Sequence, residues 1–416
     1  VWPETDAEAV DESLCYHARQ YIKANETYNP EILQPVLAPL ERAYAPTKVV
    51  WAGWPTDFRK FVLKKIEWQA SPGWPWKKHY PTNKDLFLFD GITVDPGRVA
   101  MVEEAVRRRW NELLDMPTAD PIFLFVKPEP HKISKADKRS WRLISGVGIT
   151  DTMIDRILFG DWLDNCIAKW QQIPSKAGWA PQMGGFKWIT KAFRGREPMS
   201  IDKSSWDWTV QGWHVDVIRE LIPRMIFGTT PEWQRVFDNR ISALYHPGVP
   251  RFKTTCGCEF IQLVKGIQKS GMLGTIGFNS IWQFADHLAI GGDEDNIFFS
   301  LGDDTAQERL DFTDLYLENL KLTGAIVKEV DYGFPMKFGG HDMTERSSRP
   351  SYRAKHAFTL HYLERKVEAE TMDSYRHLYA MDDEFSEYLE KQALSMFGPS
   401  GLLSRKYLRD WYLALE

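Results

Sequence analysis

Cysteine is scarce in this chain of 416 residues: Cys15, Cys166, Cys256 and Cys258 are all there are. So few, so irregularly spaced, cannot build the disulfide framework of a small secreted domain, and they fit a reducing compartment. Cys256 and Cys258 stand too close together for the usual zinc hook and have no matching second pair. Long apolar runs are missing too. None approaches the about eighteen residues that a spanning helix needs, and no secretory leader is visible. The chain opens on Val1 rather than methionine, as a processed or trimmed chain would. There is no internal repeat and no low-complexity segment, which excludes solenoids and disordered tails. A basic excess is also absent. The net charge is −5, which argues against a general nucleic-acid coat but not against an enzyme with a basic channel.

What is present is an ordinary globular balance. Hydrophobic residues make up 43 % and charged residues 26 %, enough to bury a large core in two or three domains or in one enzyme built from subdomains. The 18 tryptophans fill irregular cores or stack on bases, and composition alone does not choose. Residues 28–80, rich in Pro and Trp, read as irregular structure laid over a scaffold. Residues 98–115 read as an amphipathic helix with Val99, Val102, Val106, Trp110 and Leu113 on one stripe. Strands are expected at 121–126, 198–202, 296–301 and 325–330. Helices are expected at 213–227, with a kink at Pro223, at 275–289, at 310–323 and through most of 352–416. This order implies an α+β core with a mostly antiparallel sheet.

Three segments carry chemistry. N-I-F-F-S-L-G-D-D-T, Asn296 to Thr305, is an apolar run that stops at a glycine and two aspartates. Adjacent carboxylates repel, and a divalent ion is the simplest offset; Mg²⁺ takes oxygen ligands and needs only one to three of them from the protein. Taken alone, G-D-D is also a common solvated turn. S-I-D-K-S-S-W-D-W places Asp202 at a strand end and Asp207 five positions later. A metal site built from two strand ends would have Asp202 facing Asp303. K-S-G-M-L-G-T-I-G-F-N-S, Lys269 to Ser280, is a glycine loop running into a helix, either a flexible connection or a place where backbone approaches a ligand closely.

In that order, D-x4-D, then S-G-x3-T-x3-N, then G-D-D resembles motifs A, B and C of viral RNA-dependent RNA polymerases. The matching residues are Asp202 and Asp207; Ser270, Gly271, Thr275 and Asn279; and Gly302, Asp303 and Asp304. The segment from Lys127 to Arg142 resembles motif F. It holds six Lys or Arg against two acids, a basic patch that the net charge conceals. A-S-P-G-W-P-W, Ala70 to Trp76, resembles the template-guiding motif G, and K-F-G-G-H-D-M, Lys337 to Met343, sits where motif E belongs. The W-D-W and S-P-G-W-P elements are most similar to sobemovirus-like plant and invertebrate virus replicases.

The resemblance implies a right hand. Fingers would span 1–195 and 228–265, the palm 196–227 and 266–345, and the thumb 346–416, with an antiparallel palm sheet flanked by helices. So short a thumb implies an open product channel or a natural chain that continues further. It implies nucleotidyl transfer on an RNA template with two Mg²⁺ or Mn²⁺ ions, held by Asp202, Asp303 and Asp304. Lys127, Lys138 and Arg142 would neutralise the triphosphate, with Lys135, Lys138 and Arg139 open as phosphate contacts. Asp207, Ser270, Thr275 and Asn279 would bind the nucleotide. Ser71, Gly73 and Gly271 would guide the template. Lys328 would protonate pyrophosphate, with Lys321 as a competing choice. Expected partners are RNA template and product duplex, ribonucleoside triphosphates, other viral replication proteins and, for one mode of initiation, a protein primer. The expected setting is the host cytoplasm, in complexes that reach membranes only through partners. Two rivals stand beside this reading. A reverse transcriptase would carry a bulky aromatic in place of Asp207. A non-catalytic RNA-binding subunit would not need the acids. The sequence leaves protein-primed, primer-independent and back-folded starts open.

Overall fold

The computed structural model describes residues 1–414. Apart from a two-residue parallel pair, the strands in chain order are β1 (Ile122–Val126), β2 (Leu143–Gly146), β3 (Pro198–Lys203), β4 (Arg251–Thr254), β5 (Glu259–Ile261), β6 (Phe298–Leu301), β7 (Asp304–Glu308), β8 (Val327–Tyr332), β9 (Met336–Phe338), β10 (His341–Met343) and β11 (Ser348–Pro350). They make three sheets. One runs β8-β3-β7-β6 and is antiparallel throughout; one runs β2-β1-β4-β5, with β1 and β4 parallel; the third is the antiparallel meander β9-β10-β11.

β3 is central, and its sequence shows why. P-M-S-I-D-K is buried at every position except Asp202, so the one carboxylate is the strand's one opening to the cleft. Pro198 lacks an N–H and opens the strand, where a missing donor costs least. Helix Thr275–Ala289 packs on β6. From Phe278 to Ala289 every residue is buried, so this helix is enclosed on all sides rather than amphipathic. Its polar residues therefore need internal partners, and they turn out to shape the site.

The expected helix at 98–115 is present as Pro96–Asp115. Asp95 caps it by accepting from Arg98 N at 2.9 Å, Pro96 sits in the first turn, and the predicted stripe is buried. Each apolar side chain of that stripe contributes about 1.5–3 kcal/mol on burial. Behind it lies an enclosed ion network. Arg240 grips Asp155 through two bonds of 2.6 and 2.9 Å, and Arg109 joins Asp151 and Asp120.

One expectation needs correction: residues 28–80 are not merely irregular, since they hold helices Leu37–Tyr44 and Phe58–Lys65. Helix Gly212–Met225 carries Pro223 within its last turn. The third sheet lies on both sides of position 345, because β11 pairs with β10. The helices that follow run from Arg353 to Leu413, and among the described residues no helix is long and apolar enough to cross a membrane.

Candidate active site

The acids meet where β3 ends beside the β6–β7 hairpin. The last β3–β7 pair is Ile201 with Thr305. Leu301 pairs with Asp304 and leaves Asp303 at the tip of the turn. Asp202, the residue after the last pair, thus lies at the strand end beside both Asp303 and Asp304, and its charge acts on each. The three carboxylates share one field. Asp304 is pushed up to about 7 by burial, then by Asp303 and Asp202. Asp303 opens onto the cleft, yet the cleft walls strip enough water from it that desolvation, reinforced by Asp202, raises its pKa. The backbone amides of Gly339 and Gly340, in the β9–β10 turn, partly relieve Asp304.

Lys328 reaches this group by a bulge. The β8–β3 register slips between Val327 and Glu329, and an extra residue in one strand re-aims its side chain. Lys328 Nζ donates to Asp202 Oδ2, which raises the lysine's pKa. Lys321, the competing choice, lies in the short turn Lys321–Thr323 instead.

Beside the acids, Asp207 stands on the short helix Trp206–Thr209. Asn279 Nδ2 donates to Asp207 Oδ1 at 2.8 Å, and Trp206 Nε1 donates to Asn279 Oδ1 at 3.1 Å. Two segments far apart in sequence thus join through a pair that the sequence singled out. Burial is the main cause pushing Asp207 up to about 6, with Asp303 adding to it and the Asn279 bond opposing. Ser270 Oγ accepts from Ser145 N at 3.0 Å, which ties the glycine loop to the end of β2. Thr275 Oγ1 donates to the carbonyls of Lys269 and Met272 at 2.9 and 3.0 Å, so it clamps the loop to its helix. A Cβ on Gly271 would stand 2.7 Å from the Ser145 carbonyl oxygen. The close approach that requires this glycine is therefore to the chain itself.

The roof of the cleft is the basic segment. It is not a plain hairpin, since helix Ile133–Asp137 sits between β1 and β2. Arg142 lies at the base of the segment, and its field reaches Asp207 and Asp303. Lys135 is half-buried with its Nζ 5.7 Å from the Tyr16 ring centroid, and burial, then Arg142 and Lys328, lower its pKa. Lys138 is exposed at the end of the helix. Arg139 is paired with Glu4 and Glu12 of the amino-terminal segment. Ser71 is exposed, whereas Gly73 is buried with Gly148 Cα only 2.6 Å from where its Cβ would be. Gly73 is needed for the close approach of this turn to Gly148. Lys78 and Lys253 both lie over the Trp74 ring, at 4.3 and 4.4 Å.

Sequence reasoning missed the supports beneath these groups. Ser280 Oγ accepts from Gly302 N at 2.9 Å, and Ser300 Oγ donates to Ser280 O at 2.9 Å, so one helix residue holds the Asp303 turn. Lys203, next to Asp202 and buried, donates to Asp286 at 3.1 Å, and His214 meets the other Asp286 oxygen at 2.9 Å. The only sequence signal was polar residues in a helix that proved to be enclosed.

The donors fit a hard divalent cation in kind, being carboxylate oxygens, and in charge, since Asp303 and Asp304 carry repulsion that a cation would offset. They do not form a ready-made cage. Among the described residues no three His, Cys, Asp or Glu side chains close around a point. An open set of this kind leaves room for water and substrate oxygens.

Comparison with known proteins gives a consistent picture. The family described as viral RNA-dependent RNA polymerase matches residues 60–329. The replicase polyprotein P2AB of Southern cowpea mosaic virus is 30 % identical over 301 residues, covering 67 % of this chain and 31 % of the relative. Protein P1-P2 of Potato leafroll virus is 28 % identical over 380 residues, covering 82 % of this chain and 34 % of the relative. The chain therefore spans about a third of the length of these relatives. Among solved structures, the Sicinivirus 3Dpol RNA-dependent RNA polymerase superposes with a TM-score of 0.68 at 17 % identity, covering 93 % of this chain and 86 % of that one. At that identity the likeness is one of fold.

Proposed function

Since this chain belongs to the viral RNA-dependent RNA polymerase family, we propose that it copies an RNA template by nucleotidyl transfer, within the replication of a positive-strand viral genome. The observation that carries this reading is the meeting of Asp202, Asp303 and Asp304 with the Asp207–Asn279 pair in one cleft under a basic roof.

Asp202, Asp303 and Asp304 would hold Mg²⁺ or Mn²⁺, two ions per site. The ions supply charge for the attacking and leaving oxygens of an in-line displacement. The rest falls to the chain. Arg142, Lys127, Lys135 and Lys138 neutralise the triphosphate, the arginine through its planar fork. Asp207 and Asn279 read the ribose 2′-hydroxyl, while Ser270 and Thr275 hold the loop that presents them. Lys328, kept protonated by Asp202, is the proton donor for leaving pyrophosphate. Gly271 and the buried Gly73 act by shaping the loops that border the template path, and Ser71 lies on its exposed side. Fingers are assigned to 1–195 and 228–265, the palm to 196–227 and 266–350, and the thumb to the remainder. RNA template and product duplex and ribonucleoside triphosphates are the substrates. Other viral replication proteins, a protein primer for one mode of initiation, and a host-cytoplasmic setting with membrane contact through partners complete the proposal.

Purified protein is expected to extend a primed RNA template with Mg²⁺ or Mn²⁺, and Asp202→Ala to abolish extension while leaving the melting temperature within a few degrees. Extension that survives this substitution refutes the assignment.

A further inference from the structure

Glu129 gathers three cations from separate parts of the chain. Its Oε1 accepts from Arg142 Nη1 at 2.8 Å, and its Oε2 lies 3.0 Å from both Lys127 Nζ and Lys355 Nζ. Lys127 directly follows β1, Arg142 directly precedes β2, and Lys355 stands on helix Arg353–Leu360, beyond the third sheet. The carboxylate sits beneath its partners: the Glu129 side chain is 17 % exposed and that of Arg142 59 %. Burial works against its ionisation, but hydrogen bonds from Lys355 and Lys127 outweigh it and hold the carboxyl down at about 2. A second contact ties the same helix to the amino-terminal segment, where Trp2 packs on Phe358 and Tyr362. Losing Lys355 would therefore not detach the helix.

Two of these cations are the ones assigned to the triphosphate. A carboxylate and a phosphate seek the same N–H donors, so they cannot both be fully satisfied. We propose that Glu129 is the resident counter-ion of the triphosphate site, displaced from Lys127 and Arg142 by the incoming polyphosphate, and that Lys355 sets the cost of that displacement. The inference rests on the polymerase reading above. When the exchange occurs, Lys355 remains with Glu129, so no partly buried carboxylate is left without a partner. Without Lys355 the same exchange would strand it, and stranding a buried charge is costly. Lys355 is thus a positioning residue that acts on nucleotide affinity only through Glu129.

The test uses the full chain and inorganic tripolyphosphate without metal, with binding followed by calorimetry. Glu129→Gln removes the competitor and is expected to tighten binding about twofold to fivefold, the scale of one partly exposed ion pair. Lys355→Gln is expected to weaken binding by a similar factor, and Lys355→Arg to restore it. The double variant should match Glu129→Gln alone. The same pattern is expected in KM for ribonucleoside triphosphates, with kcat within about twofold, as for a change in binding shared by ground and transition states. Weaker binding by Glu129→Gln overturns the proposal. So does a Lys355→Gln loss that persists in the Glu129→Gln background, because Lys355 would then touch the phosphate itself. Lys355 lies on the surface of its helix, so its variants decide the matter even if Glu129→Gln fails to fold. A wild-type chain that binds tripolyphosphate in this pattern but extends no RNA would strike the polymerase reading instead, which keeps the two failures apart.

Discussion

Replacing Asp207 by alanine should erode the choice of ribose over deoxyribose by a predictable amount. Asp207 is anchored through one oxygen, which accepts from Asn279 Nδ2 at 2.8 Å, and among the described residues no side chain or backbone donor reaches the other. That free oxygen is where a 2′-hydroxyl would donate. Its pKa, raised to about 6 mainly by burial, still leaves the group ionised at pH 7.5. A hydrogen bond to a charged acceptor is worth about 1.5–3 kcal/mol, which corresponds to roughly 10- to 150-fold. The ratio of kcat/KM for a ribonucleotide to that for the matching deoxyribonucleotide should fall by about this factor in Asp207→Ala, chiefly through a slower ribonucleotide. Asp207→Asn, which keeps the shape and loses the charge, should fall between. Single-nucleotide extension on one primed RNA, with both sugars of the same base, measures the ratio. The substitution also strands the Asn279 amide at a stability cost of about 1–3 kcal/mol, so melting must be followed in parallel. If both sugars slow equally and the ratio is unchanged, Asp207 only braces the helix that carries Asn279, and the sugar-reading argument is wrong.

Other consequences reach beyond the substrate. Ser280→Ala leaves Gly302 N without its acceptor; kcat should fall about tenfold as the Asp303 turn loosens, with KM for nucleotide within about twofold, as steady-state kinetics will show. Arg240→Met strands the Asp155 carboxylate where both side chains are fully buried, and urea unfolding should show a loss of about 3–5 kcal/mol, smaller when Asp155→Leu is added. Burial holds His17 and His287 down at about 4. The unfolded chain binds protons there from about pH 6.5 downward, so stability is lost as pH falls from about 6.5 to 4, at roughly 1.4 kcal/mol per pH unit for each histidine. His17→Gln should remove its share of that slope in unfolding measured across the window.

What could be read from the sequence, and what could not, divides by the range of the interaction. Asp202, Asp303, Asp304 and Asn279 could be singled out because the resemblance that names them rests on residue types and spacings within three short segments. That P-M-S-I-D forms a strand ending near Asp202 was legible, whereas the burial of Lys203 was not, since it depends on Asp286 in a distant helix. Register was not legible. That Asp202 comes to the edge of the turn carrying Asp303 is fixed only by the pairing of β3 with β7, which ends at Ile201 and Thr305. The bulge that turns Lys328 onto Asp202 is likewise a property of two strands together. Helices Leu37–Tyr44 and Phe58–Lys65 were hidden by the prolines and tryptophans around them, whose burial comes from distant partners. Ser280 and Asp286 gained meaning only once their helix proved enclosed, at which point each had to have an internal partner. Glu129 is the sharpest case. In the sequence it merely dilutes a basic run. Its meaning comes from Lys355, 226 positions later by number, whose ammonium makes a fixed carboxylate affordable beside a site that must also bind phosphate. A residue that opposes the charge of its own motif is thus informative for a physical reason: it persists only where something outside the motif balances it.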